Sequence, residues 1–354
     1  MGSIKIKNGR IITPCGLLER GTMILKDGII ISIKPHNIEC NECTEIDAKG
    51  CYVSPGFIDI HTHGGGGHDF MDGTVEAYLG AAEMHARQGT TSLVPTTLTS
   101  TKAELKNTFK AYGEAKTRNR KGARFLGLHL EGPYFSMAQR GAQDPRYIKN
   151  PDPEEYEEIL NWSEDIIRWS AAPELDGALN FGRRLSEKGI LASIAHTNAV
   201  YEQVKEAFEN GFTHITHLYS GMSGVKRING FRYAGVVESA YLIDEMTVEI
   251  IADGRHLPAR LLKLVYKIKG VDRTALVTDS MRAAGMPEGE TIIGSLKNGH
   301  KAIVEDGVAK LPDRTAFAGS VATADMLVRV MTELADVPII DAVKMMTSTP
   351  ARGL

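Results

Sequence analysis

Long apolar runs, a strong charge of either sign and a spread of cysteines are all missing from this sequence, and each absence closes off a class of function. No apolar stretch approaches the roughly 20 residues needed to cross a bilayer. The opening MGSIKIKNGR lacks the apolar core of a secretory signal. The expectation is a cytoplasmic protein with no membrane partner. Its formal net charge of −3 gives no reason to expect nucleic acid or an anionic surface as partner. The four cysteines, Cys15, Cys40, Cys43 and Cys51, all fall in the first 51 residues. Cys40 and Cys43 form a C-x-x-C, but a zinc knuckle needs a second ligand pair, and neither Cys15 nor Cys51 supplies that spacing. A structural or incidental role follows for all four. No G-x-S-x-G elbow exists, so a serine nucleophile is not expected.

What is present reads as two regions. Residues 1 to about 55 carry short strand patterns separated by the turn pairs NG and DG, which mark a small all-β unit. From residue 56 onward, short apolar strands alternate with longer amphipathic segments such as TVEAYLGAAEMHARQ and AVYEQVKEAFEN. Eight strand candidates start near residues 57, 91, 125, 166, 191, 212, 247 and 274. Eight strand-plus-helix units over residues 56–354 predict an α/β fold, a (β/α)₈ TIM barrel, with a small β-sandwich-like domain formed by the N-terminal strands. The competing fold, a doubly wound open sheet, would want a G-x-G-x-x-G turn after an early strand, and none is there. After the eighth strand, the segment from Gly289 to Ser320 reads as a β-hairpin-like insertion before closing helices.

The chemistry collects at the C-terminal ends of these strands. Strand one ends in His61 and His63, strand three in Glu131, strand five in His196, strand six in His217 and strand eight in Asp279. Barrel strand ends converge on one mouth, where barrel active sites are built. Residues i and i+2 of a strand share a face, so His61 and His63 can reach one ion. Imidazole with carboxylate suits zinc, iron or another first-row divalent ion, one or two per subunit. Any one of these residues could be an ordinary polar strand end; six of them at five of eight strand ends is the pattern of a metal site. The glycines 64–67 are then expected to let the backbone pass close to metal and substrate. His129, on the face of Glu131, reads as a supporting or packing residue, and His36, His85, His214 and His300 as structural or exposed.

The stretches PGFIDIHTHGGGG, GLHLEGPYFS, IAHTNA, THLYSGM, IADGRH, LVTDSMRAAG and FAGS together resemble the amidohydrolase superfamily, and within it the N-acetylglucosamine-6-phosphate deacetylase family. The resemblance implies that Glu131, His196 and His217 hold a principal metal and His61 and His63 a second. It implies Asp279 as catalytic acid and base, with His256 assisting at the oxyanion or a sugar hydroxyl. For an amino-sugar phosphate substrate it implies Ala142, Gln143, Ser220, Gly221, Arg232, His256 and the turn Phe317, Ala318, Gly319. It also implies a homodimer, with Arg232 reaching the neighbour's phosphate site.

Three departures fall at the sugar-phosphate end. The family usually has Asn-Ala where this chain has Ser220–Gly221, often histidine at Gln143, and often R-E-P-G where this chain reads RYAG. The family also finishes the small β domain with strands after the barrel, and this sequence stops where that segment would begin, so the small domain is expected without its C-terminal complement. Rival readings are an amidohydrolase acting on N-acetylgalactosamine-6-phosphate or a non-phosphorylated N-acyl amino sugar, and a catalytically silent barrel. A silent barrel has no need of Asp279.

Overall fold

The computed structural model describes residues 2–353, which divide into two compact units at the boundary between Gly56 and Phe57. In the first unit, strands Ser3–Thr13 and Gly16–Lys26 form a long antiparallel hairpin, flanked by Ile29–Lys34 on one side and Cys43–Asp47 on the other. The short strand Tyr52–Val53 pairs with the far end of the first. Asp27 and Gly28 take positive φ at the DG turn, as a tight hairpin turn requires. All five strands lie side by side in one hydrogen-bonded sheet. The N-terminal strands thus form the small β domain expected of them. Cys40 and Cys43 pair as a disulfide across a short loop, while Cys15 and Cys51 are free and exposed.

In the second unit the eight parallel strands are Phe57–Thr62, Thr90–Pro95, Leu128–Glu131, Ile166–Ala171, Leu191–Ile194, Phe212–Ile215, Thr247–Ile251 and Thr274–Val277. Strands three to eight form one continuous parallel sheet. Strands one and two pair in parallel, and Thr97 N–H donates to His129 O at 3.0 Å to join strand two to strand three. At the opposite seam Asp279 N–H donates to His61 O at 2.9 Å, and His63 N–H donates to Ser280 O at 2.8 Å. Those bonds bring strands eight and one together. The strand interiors are buried almost throughout, which is why their sequences read as near-continuous apolar runs.

Helices cover the outside of the strands. Val75–Arg87 starts at Thr74, whose hydroxyl accepts from Ala77 N–H, and Lys102–Arg118 starts with a capping box between Thr101 and Glu104. After strand eight, Gly289–Ile293, His300–Glu305 and Val308–Lys310 form a three-stranded antiparallel insertion. Its inner face buries Ile293, Ala302, Val304 and Ala309 against Met281 and Ala318. This packing seats the insertion beside the C-terminal ends of the barrel strands.

The strands are shorter than their sequence patterns. Strand five stops at Ile194, strand six at Ile215 and strand eight at Val277, each two residues before the site residue that follows. His196, His217 and Asp279 take φ of 44°, 30° and 46°. A left-handed residue cannot continue a ladder, so the strand ends there and the side chain turns into the mouth.

His85 lies fully buried on the helix Val75–Arg87. Its Nε2–H donates to Gly64 O at 2.9 Å, while Nδ1 has no partner. Burial depresses its pKa to about 4, opposed only partly by that hydrogen bond. The unfolded chain takes up a proton near 6.5 that the native state refuses, so this contribution is complete above pH 6.5 and lost as pH falls toward 4. In the metal-stripped protein, His85→Gln should remove about 2–3 kcal/mol of the stability that wild type loses between pH 7 and 4.5. Unfolding curves at both pH values measure it; parallel losses in the two proteins would reject the assignment.

Candidate metal centre and substrate cleft

Six side chains from five strands meet at the mouth. His61 belongs to strand one and His63 follows it; Glu131 ends strand three; His196, His217 and Asp279 occupy the left-handed positions after strands five, six and eight. They form two groups, His61–His63–Asp279 and Glu131–His196–His217, and within each group the ligand atoms lie within 4.8 Å of one another. Glu131 touches both. Its Oε1 is 3.0 Å from His217 Nε2 and 3.5 Å from His196 Nε2 and His61 Nε2, while Oε2 is 3.4 Å from His63 Nε2. Asp279 Oδ1 is 3.1 Å from His63 Nε2 and 3.4 Å from His61 Nε2. All six are buried.

Four ring nitrogens and two carboxylates converging at these separations are the donor set of a divalent metal site. Burial alone would raise the Glu131 carboxyl, but the charges of His61 and His196 and hydrogen bonds from His196 and His217 hold it well below the usual carboxylate range. Burial would likewise raise Asp279, and His61 and His63 outweigh it, leaving the carboxyl ionised. Both acids are therefore poised as anionic ligands. The His196 ring is oriented from behind, Nδ1–H donating to Gln139 O at 2.9 Å. The outer Nδ1 atoms of His63 and His217 have no partner.

Behind the ligands lies a charged pair that the strand-end reading missed. Glu249, in the middle of strand seven, meets His61 Nδ1 at 2.6 Å and Arg168 of strand four at 2.5 Å. The Arg168 guanidinium also donates to Ser193 Oγ at 2.9 Å and Thr216 Oγ1 at 2.8 Å. The available signal was a lone charge inside an apolar strand, IIRWSAA and TVEIIA, which only a charged partner across the barrel makes tolerable. His129 is a supporting residue as read, bonded to Ser170 Oγ at 2.7 Å and to Thr96 Oγ1 at 3.2 Å. His214 is buried against Thr247 and Glu249.

The six ligand candidates open, all but His61, onto a cleft of about 220 Å³. Ala142, Gln143, Ser220, Gly221, His256, Phe317 and Gly319 line it. The His256 Nδ1 atom is 2.7 Å from Asp253 Oδ2, which turns Nε2 toward the cleft, and its ring packs edge-on to Phe317. Asp253, within the IADGRH stretch, had not been singled out.

Three of the expected substrate residues have further contacts or placements. Gln143 lines the cleft and is also tied to the ligands: its amide donates to Glu131 Oε2 at 2.7 Å and its carbonyl oxygen accepts from Thr99 N–H at 2.9 Å. Ala318 is completely buried beneath the turn, its N–H donating to Ala309 O, so only its neighbours face the cleft. Arg232 does not line the cleft of its own chain; it lies exposed on the hairpin of Lys226–Ile228 and Phe231–Tyr233. The glycine run also has a different use. A Cβ at Gly64 would sit 2.1 Å from His68 O, and Gly66 and Gly67 N–H donate to Ala284 O and Arg282 O. The run packs backbone on backbone beneath the mouth.

The amidohydrolase family model matches residues 52–354. The chain belongs to the amidohydrolase family. An N-acetylglucosamine-6-phosphate deacetylase of Lysinibacillus sphaericus is 33% identical over 356 residues, covering 99% of this chain and 89% of the relative. An N-acetylgalactosamine-6-phosphate deacetylase of Escherichia coli O157:H7 is 33% identical over 348 residues, covering 98% and 88%. Among solved structures, a mutant N-acetyl-D-glucosamine-6-phosphate deacetylase from Mycobacterium smegmatis, in complex with N-acetyl-D-glucosamine-6-phosphate, superposes with a TM-score of 0.90. It is 27% identical, and the match covers 100% of this chain and 91% of that one. Among the described residues, no helix of this amidohydrolase is long and apolar enough to cross a membrane.

Adding zinc or cobalt to the metal-stripped amidohydrolase should raise its Tm by roughly 5–10 °C at saturating metal. Glu131→Ala should abolish the response, since this residue touches both ligand groups. Differential scanning calorimetry with and without metal checks this, and an undiminished rise in the variant would remove Glu131 from the site.

Proposed function

We propose that this amidohydrolase is a cytoplasmic, divalent-metal-dependent deacetylase that converts N-acetylglucosamine-6-phosphate to glucosamine-6-phosphate and acetate. The observation that carries the reading is the junction of two buried ligand groups with Asp279 on the wall of one sugar-sized cleft. The relatives' names supply the substrate class, and residues 57–354 alone would carry the chemistry. In this reading Glu131, His196 and His217 hold the principal ion, and His61, His63 and Asp279 define a second position. Zinc or iron fits this donor set.

A divalent ion held there would supply a water of lowered pKa and polarisation of the amide carbonyl. The protein does the rest. Asp279 accepts the proton of the attacking water and returns it to the sugar nitrogen as the C–N bond breaks, giving acetic acid and the amine. The acid's proton then passes to the amine, so the products leave as acetate and the ammonium sugar. His256, fixed by Asp253, presents Nε2 to the carbonyl oxygen or a sugar hydroxyl.

The phosphate end is less conventional. Among the described residues no lysine or arginine lines the cleft, which leaves the Ser220 hydroxyl, the Gly221 amide and a cation from outside the cleft to meet the anion. Arg232 of a second copy fits that need: its hairpin projects with Phe231 72% exposed and Val225 and Ile228 also exposed. A homodimer burying this hairpin would place one copy's arginine at its neighbour's cleft. N-acetylgalactosamine-6-phosphate stands as the second reading, because a relative with that activity is equally similar at 33% identity.

Asp279→Asn should retain the fold and bound metal while kcat falls by about 10²–10⁴-fold. Acetate release within a few-fold of wild type would sink the assignment. A panel of glucosamine and galactosamine derivatives, with and without the 6-phosphate, separates the substrate readings. A phosphorylated sugar should be preferred, and Ser220→Asn should strengthen that preference about tenfold, chiefly through KM, by adding one hydrogen bond to a charged group. If phosphorylated and free sugars react equally well and Arg232→Ala is silent, this pocket does not read phosphate.

A further inference from the structure

Arg168 and Glu249 take no part in the hydrolysis just described, yet both side chains are completely buried at the floor of the mouth. An arginine keeps its proton in proteins, so Glu249, 2.5 Å from that guanidinium, stands as a carboxylate and can only accept hydrogen bonds. The His61 Nδ1 atom at 2.6 Å from Glu249 Oε1 must then carry the ring hydrogen. That choice leaves Nε2, which faces Glu131 and Asp279, as the ring atom that can take a metal. The same Oε1 accepts the backbone N–H of His217 at 3.2 Å, at the residue whose φ is 30°. One carboxylate oxygen thus holds the ring of a ligand in one group and the left-handed backbone of a ligand in the other.

We propose that Glu249 is the positioning residue shared by both metal-ligand groups, locking the tautomer of His61 and the backbone of His217, with Arg168 holding Glu249 in place. The proposal rests on the metal reading of these two groups. It gives the buried pair a purpose that core stability does not require, since apolar residues of similar volume commonly serve as well as a buried ion pair. A hydrogen-bonded partner behind a ligating histidine typically changes metal affinity by about 10–100-fold. Among these ligands the partnered Nδ1 atoms are those of His61 and His196, whereas those of His63 and His217 are unpartnered, so the effect should be local to the elements Glu249 touches.

The test is cobalt binding to the metal-stripped protein, followed by the visible spectrum of bound Co²⁺. Arg168→Met with Glu249→Leu removes both charges together and leaves neither stranded. This double variant should melt near wild type yet bind Co²⁺ about 10–100-fold more weakly, with an altered spectrum. Arg168→Met with Glu249→Gln restores an acceptor for His61 Nδ1–H and should recover affinity to within a few-fold of wild type. Wild-type affinity and spectrum in the leucine variant would overturn the proposal. Should the double variants fail to fold, nitrogen-15 spectra of histidine-labelled, metal-free wild type decide, with the His61 signal assigned by its loss in His61→Gln. A hydrogen on His61 Nδ1 supports the proposal and a bare Nδ1 overturns it. Failure of wild type itself to bind Co²⁺ would instead reject the metal reading, and the tautomer would still report on Glu249.

Discussion

The ion pair of Arg168 with Glu249 sets the terms for everything above it in the barrel. Four parallel strands contribute to this one cluster: Ser193, Thr216 and Glu249 receive hydrogen bonds from the arginine of strand four. A guanidinium buried without such partners would cost several kcal/mol, so these strands are tied to a common register by the need to satisfy it. With the floor fixed, His61 is held from below and the remaining ligands are arranged around it. Histidines and acids at the mouth are then mutually compensating, since each carboxylate lies beside at least two imidazoles.

Glu131 is the second organising element, because it belongs to neither ligand group exclusively. One oxygen lies nearest His217 and the other faces His63, and that second oxygen is also taken by the Gln143 amide. In the family pattern a histidine is common where this chain has Gln143. A glutamine amide is a neutral donor that cannot itself be ionised in the working pH range. Here it fixes the carboxylate without adding charge to an already crowded cluster. Position 143 therefore touches the ligand cluster as well as the cleft.

How much of this was legible in the sequence depends on whether a residue's role is local. The alternation of strands and helices is a repeating local pattern, and eight units were readable from apolar spacing alone. His61, His63, Glu131, His196, His217 and Asp279 were readable because they sit where strand patterns give out. Arg168 and Glu249 were not, since each is explained only by the other, across 81 residues of chain. Gln143 lies in a loop whose path no periodicity describes, so the direction of its amide could not be inferred. The ends of strands five, six and eight were overrun by two residues because apolar character continues up to the point where the backbone turns left-handed. Ala318 shows the same limit from the opposite side: in a turn sequence, neighbouring residues face opposite ways.

The left-handed backbone at His196, His217 and Asp279 has a consequence for how such a protein changes over generations. Each residue sits where glycine or asparagine would rest more comfortably, at a cost on the order of 1 kcal/mol or somewhat more per residue. Mutational drift that abandons the chemistry would therefore be rewarded with a sturdier fold at these very positions. A barrel of this kind that has lost its activity should betray itself by glycine or asparagine at the turns after strands five, six and eight. Histidine and aspartate held there against the backbone's preference are a mark of continuing selection for the reaction.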